Sequence, residues 1–214
     1  MLSRRHFLAV GTACCATPAF AALPPQAGAL NFQVSRNDSP IGTHALRFAN
    51  TSDGFTVSVA VNLAVSFGPI RLFHYKLDAV EHWVDGRFES LDAKTDHDGD
   101  AHFATVRRAA NGLVVEGSKT QRYTAPEGAL PASHWNRAEL AGPMINPENG
   151  MLLTPRISDK GMEKVALADG ATVSARHYDW RGKDDLDLWY DERNMWIALT
   201  AAAGDGSQLS YKRL

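Results

Sequence analysis

The sequence predicts an all-β protein, a large curved antiparallel sheet or open β-barrel of about a dozen strands with at most one short helix. Three observations carry that expectation. Phe55, Val57, Val59, Val61, Leu63, Val65 and Phe67 fall at every second position with small or polar residues between them. A strand places such residues on one face, whereas a helix would spread them around its axis. Pairs that adopt positive φ cheaply recur between apolar stretches, at Asp85-Gly86, Asp98-Gly99, Asn111-Gly112 and Asp205-Gly206, and they suit hairpin turns. The alternation recurs along the chain without the strand-helix rhythm of a βαβ protein.

The chain opens with an export signal. A twin arginine (Ser3-Arg4-Arg5-His6-Phe7-Leu8) precedes a short apolar run and the small-residue triplet Ala19-Phe20-Ala21, so residues 1–21 are expected to be removed after Ala21. The apolar run is too short to span a bilayer, which leaves no transmembrane segment in the mature chain. The twin arginine resembles the signal of the bacterial Tat machinery, which carries folded proteins across the inner membrane, and Tat is the expected partner in export. A chance Arg-Arg in an ordinary Sec signal gives the same periplasmic address. Cys14 and Cys15, the two cysteines of the chain, both fall in this segment. The mature domain therefore has neither thiolate chemistry nor disulfides, and its stability rests on its core. A lipoprotein reading with Cys14 lipidated lacks the usual leucine three residues before it, where Gly11 stands.

The formal charge is −2, and without Arg4 and Arg5 the 22 basic residues fall to 20 against 24 acidic ones, a charge of −4. Such a surface does not draw nucleic acid or anionic lipid over distance. The 214 residues are compatible with one core, so residues 22–29 are read as a tether and 30–214 as a single domain.

Within that domain Leu30, Phe32 and Val34 alternate, Asn37-Asp38-Ser39-Pro40 turns, and His44, Leu46 and Phe48 alternate back. The strand at Phe55–Phe67 follows, then a turn at Gly68-Pro69, and Phe73, Tyr75, Leu77, Ala79 and Trp83 return with Glu81 in the same phase. After Leu113-Val114-Val115, the segment from Lys119 to Pro131 loses its period and is expected to be a mobile loop. Ser133–Leu140 suggests a short helix capped by Ser133. Strand signals resume at Leu152, with a turn expected at Asp159-Lys160-Gly161, a strand from Glu163 to Leu167, a turn at Asp169-Gly170, and further strands over Thr172–Trp180, Leu186–Tyr190, Trp196–Thr200 and Leu209–Tyr211.

Taken together, the signal, Glu81-x-Trp83-x-Asp85-Gly86, Ser133-His134-Trp135-Asn136, Leu188-Trp189-Tyr190-Asp191, Asp205-Gly206-Ser207 and Tyr211 resemble an exported proteobacterial family of unknown function. That resemblance implies an extracytoplasmic β-rich domain, distantly like the half-barrels of periplasmic lipid and lipoprotein carriers. It brings no catalytic residue.

No motif names a reaction. The seven mature histidines (His44, His74, His82, His97, His102, His134 and His177) show no zinc spacing, and no metal site is expected. Asp96-His97-Asp98-Gly99-Asp100 lacks the terminal glutamate of a calcium loop and is expected to be a hairpin tip. There is no Gly-x-Ser-x-Gly elbow. Glu81 is the most informative polar residue, because its phase points a carboxylate to the apolar side, where it needs a partner, a shifted pKa or a cavity. Tryptophans 83, 135, 180, 189 and 196 fill the core by default, at least three of them, although indoles on a concave sheet also grip ligands.

Two functions survive. One is a non-catalytic binding or carrier domain for an apolar or amphiphilic envelope ligand such as a lipid, with Glu81, Trp83, Tyr75, His134 and Trp135 as ligand-binding candidates. The other is an extracytoplasmic hydrolase or lyase using Glu81, Asp85 and a histidine, with or without a metal. Neither catalytic residues nor a cofactor can be assigned from the sequence.

Overall fold

A computed structural model describes residues 23–26, 28–67 and 70–214. The expected export signal, its cleavage point and the Gly68-Pro69 turn lie outside the described residues. Eight strands form an unbroken antiparallel meander: β1 (Ala29–Arg36), β2 (Ser39–Asn50), β3 (Gly54–Phe67), β4 (Ile70–Val84), β5 (Arg87–His97), β6 (Asp100–Ala109), β7 (Gly112–Gly117) and β8 (Thr120–Ala125). An insert follows, with the short strands β9 (Leu130–Pro131), β10 (Met144–Ile145) and β11 (Leu152–Leu153) and one 3-10 turn at Arg137–Ala141. The meander resumes as β12 (Arg156–Ala166), β13 (Thr172–Arg181), β14 (Leu186–Tyr190), β15 (Trp196–Ala202) and β16 (Gln208–Arg213).

β16 closes back on β1, Phe32 opposite Arg213, so the 13-stranded sheet runs β12 to β16 and then β1 to β8. The sheet is an all-antiparallel, unclosed barrel. Its seam lies between β8 and β12, the two strands that the insert joins. β9, β10 and β11 form a separate small sheet, and Ala129, Trp135, Met144 and Ile145 of the insert are buried in the same core as the inward residues of the large sheet. The insert is thus an interior plug as well as a connection.

The alternation sorts the faces as physics requires. On β3, Phe55, Val57, Val59, Val61 and Leu63 are buried while Ser58 and Asn62 are exposed. The turns follow their residues: Asp85 and Gly86 have φ 49 and 73, Asp98 and Gly99 φ 53 and 94, left-handed values that Asp and Gly tolerate. At the hairpin tip, Asp96 accepts the Gly99 N–H at 2.8 Å.

Three local expectations are corrected. The stretch expected as a mobile loop contains β8, whose sequence Thr-Gln-Arg-Tyr-Thr-Ala is polar because it is an edge strand, with only Ala125 fully inward. The helix expected at Ser133–Leu140 is one 3-10 turn that starts later, capped by Asn136, whose side chain accepts the Ala138 N–H. The turn expected at Asp159-Lys160-Gly161 is a bulge within β12, where Asp159 accepts the Gly161 N–H at 2.9 Å and the register slips.

Candidate functional site

A cavity of about 800 Å³ runs inside the curved sheet. Its wall follows directly from strand alternation: Val59, Val61 and Leu63 of β3 and Phe73, Tyr75, Leu77, Ala79 and Glu81 of β4 line it in sequence. From Phe73 to Glu81 a strand advances about 26 Å at roughly 3.3 Å per residue, so the space is long and narrow. One end is rimmed by residues of strand ends and turns, Arg36, His97, Lys183, Asp184 and Asp205. At the other lie Glu81 and Ser133. The curl brings distant strands together, and Tyr211 of β16 lines the same space as Tyr75 of β4.

Glu81 is fully buried at the far end. Its Oε2 accepts two indole N–H groups, from Trp83 at 2.8 Å and Trp135 at 3.0 Å. Those indoles belong to an aromatic floor in which Trp83 stacks on Phe55 at 5.9 Å and meets Trp135 edge-on at 5.1 Å. Among the described residues Oε1 has no hydrogen-bond partner, although the Ser133 hydroxyl is close enough to favour the charged form. Burial outweighs these donors and raises the Glu81 pKa from 4.5 to about 7, helped by the negative charge of Glu139.

Glu139 is itself buried, at 1% exposed. It accepts the His134 backbone N–H at 3.0 Å and lies 2.7 Å from His134 Nδ1. This pairing holds His134 in a left-handed conformation, φ 66, and the consecutive side chains Ser133 and His134 both reach the cavity. His44, midway along the wall opposite Val61, packs among Phe32, Trp196 and Tyr211. Burial first, and His134 second, lower its pKa to about 3, so it is a neutral ring at ordinary pH. Near the rim the Tyr75 hydroxyl donates to Glu148 at 3.4 Å, and burial, with Glu148 beside it, pushes its pKa well above 10. Arg36 pairs with Asp205, and hydrogen bonds from Ser207 lead in lowering the Asp205 pKa to about 2.

The five residues singled out from the sequence divide into two groups. Glu81, Tyr75 and His134 line the cavity, while Trp83 and Trp135 stand behind Glu81 and hold its Oε2. Asp85 sits in an exposed hairpin turn, apart from this lining. Trp180 lines the cavity, Trp196 is core, and Trp189 stacks on His177 at 4.6 Å, outside the main core. Sequence reasoning missed Glu139, whose signal was the Ser-His-Trp-Asn-Arg-Ala-Glu segment itself, and gave His44 too little weight. Among the described residues no three His, Cys, Asp or Glu side chains converge on a metal position, and no helix is long and apolar enough to cross a membrane.

Fold and cavity together define the class: an unclosed β-barrel-like domain around a cavity with the carboxyl group of Glu81 buried in its wall. The chain belongs to DUF6134, a domain of unknown function whose profile matches residues 32–214. A solved structure with the same architecture is the beta-barrel-like protein of domain of unknown function DUF1849 from Brucella abortus. The match has a TM-score of 0.58 at 11% identity and covers 87% of this chain and 94% of that one. At that identity the likeness is one of fold alone. No curated protein sequence matches.

Proposed function

We propose that this is an exported binding or carrier protein that holds an apolar or amphiphilic ligand of the cell envelope inside its barrel. The observation that carries this reading is the cavity of about 800 Å³. It falls in the size range of small-molecule sites, with an apolar stretch along β3 and β4 and charged or polar groups at both ends. Apolar side chains that face a void forgo the dispersion contacts a packed core would give them, and a ligand restores those contacts. The twin-arginine segment at Arg4-Arg5 supports a periplasmic address, with a lipid or another long amphiphile of that compartment as the ligand.

A neutral apolar fluorophore titrated into the purified protein tests the reading. Ala79 is 4% exposed and faces the cavity, so Ala79→Phe fills ligand space without displacing packed core. Fluorophore affinity should fall at least tenfold in Ala79→Phe while the melting temperature moves by only a few degrees. Equal affinity in both proteins, or no binding to the parent, would defeat the proposal.

The hydrolase or lyase alternative draws on the His134 and Glu139 pair beside Ser133 and Glu81. Elemental analysis of the purified protein separates it from the carrier: stoichiometric zinc, copper or calcium would favour an enzyme, and co-purifying lipid in an organic extract a carrier.

A further inference from the structure

The far end of the cavity is built as an acceptor. Glu81 presents Oε1 on a fully buried side chain that lines the cavity, with no hydrogen-bond partner among the described residues although the Ser133 hydroxyl is near. Its other oxygen is held by two indole N–H donors, which only partly offset the cost of burying the charged form. Yet no Lys, Arg or His among the described residues pairs with it. Another buried acid, Glu139, has both oxygens engaged by His134, and Arg137 turns its guanidinium to the Tyr178 hydroxyl at 2.8 Å. The groups facing Glu81 from its strand neighbours, Val57 and Leu91, are apolar. An alkyl terminus or a carboxylate placed here would leave the acceptor unpaired or set like charges together, whereas a cationic donor satisfies it.

We propose that the ligand is an elongated amphiphile that seats a protonated primary amine on Glu81 Oε1, with its apolar body lying along Val59, Val61, Leu77 and Ala79. This rests on the carrier reading above and narrows its ligand class. The ammonium supplies three donors, one to Oε1, with the Ser133 hydroxyl also in the cavity wall to take another. Because Glu81 titrates near 7 in the empty protein, an arriving ammonium displaces its proton at mildly acid pH.

Displacement of the neutral fluorophore by dodecylamine, dodecanol and dodecanoate tests the amine. Dodecylamine should displace at least tenfold more tightly than dodecanol, dodecanoate should be weakest, and Glu81→Gln should erase the amine's advantage over dodecanol, each affinity being taken relative to that variant's own fluorophore binding. Equal displacement by all three, or an advantage that survives Glu81→Gln, would overturn the proposal while leaving the carrier reading intact. Failure of the fluorophore to bind removes the carrier reading and this inference together. If Glu81→Gln does not fold, calorimetry of the parent protein in buffers of different ionisation enthalpy decides. Dodecylamine binding should release close to one proton at pH 6 and almost none at pH 8.5, and release of none at both values counts against the amine.

Discussion

Glu81 and His44 share one buried face and pull stability in opposite directions as pH changes. Glu81 ionises near 4.5 in the unfolded chain and near 7 in the fold. The native state therefore holds the extra proton between those values, and stability falls as pH rises through them, by roughly 3 kcal/mol in total. His44 protonates near 6.5 when unfolded and near 3 when folded, so stability falls as pH drops from 6.5 to 3, by roughly 5 kcal/mol. Between pH 4.5 and 6.5 the two slopes nearly cancel. Urea denaturation should show a flat optimum in that window, with losses on both sides. In Glu81→Gln the curve should instead climb from pH 3 to 6.5 and hold level to pH 8, because Gln keeps the acceptor for both indoles without a charge to desolvate. A Glu81→Gln profile parallel to the parent's would mean that burial does not govern this carboxyl. Glu81 was legible in the sequence because a strand's period of two fixes which face each residue takes, and an acid in the apolar phase stands out. The Glu139 and His134 pair was not legible. It depends on a backbone excursion to φ 66 at His134, and no periodicity encodes that.

At the scale of the element, the β3 strand and the insert make different demands. Val57 is fully buried in packed core, whereas Val59 and Val61 are buried but face the cavity. Val57→Asp should therefore unfold the domain, an unpaired charge costing several kcal/mol against a total stability of roughly 5–15. Val59→Asp has void beside it for water and should cost less, and Ser58→Asp on the exposed face should cost little. Equal losses at 57 and 58 would show β3 to be covered on both sides. The insert depends on a close backbone approach: a Cβ on Gly117 would stand 2.1 Å from the Asn149 carbonyl oxygen and 2.7 Å from Gly150 Cα. Gly117→Val should separate the insert from β7 at a cost of about 1–3 kcal/mol and expose residues 126–155 to limited proteolysis that the parent resists. Identical cleavage patterns would show that the approach is dispensable. The long strands and their Asp-Gly turns were readable because each is set by local residues. β8 was not, because an edge strand of polar residues shows no apolar alternation, and β9 to β11 were not, since two-residue strands carry no period.

The whole molecule folds around a contact that joins its ends. β1 pairs with β16, and Leu214 donates its backbone N–H to Asn31, so the sheet cannot be completed until the last strand is available. Pairings of such sequence separation form slowly, because loop closure precedes the contacts that reward it. A chain of this topology, delivered to the periplasm unfolded, would pass through a long interval with unpaired β1 and β15 edges open to aggregation. On the proposed export route, folding before translocation would avoid that interval, which would give the twin arginine at Arg4 and Arg5 a physical rationale. Two precursors test the route together. Changing both arginines to lysine should leave uncleaved, folded precursor in the cytoplasm. Val57→Asp with the arginines intact should also stay behind, since a machinery that carries folded proteins has no folded cargo to take. Normal export of the lysine variant, or efficient export of the unfolded one, would assign the signal to the Sec route while leaving the periplasmic address in place.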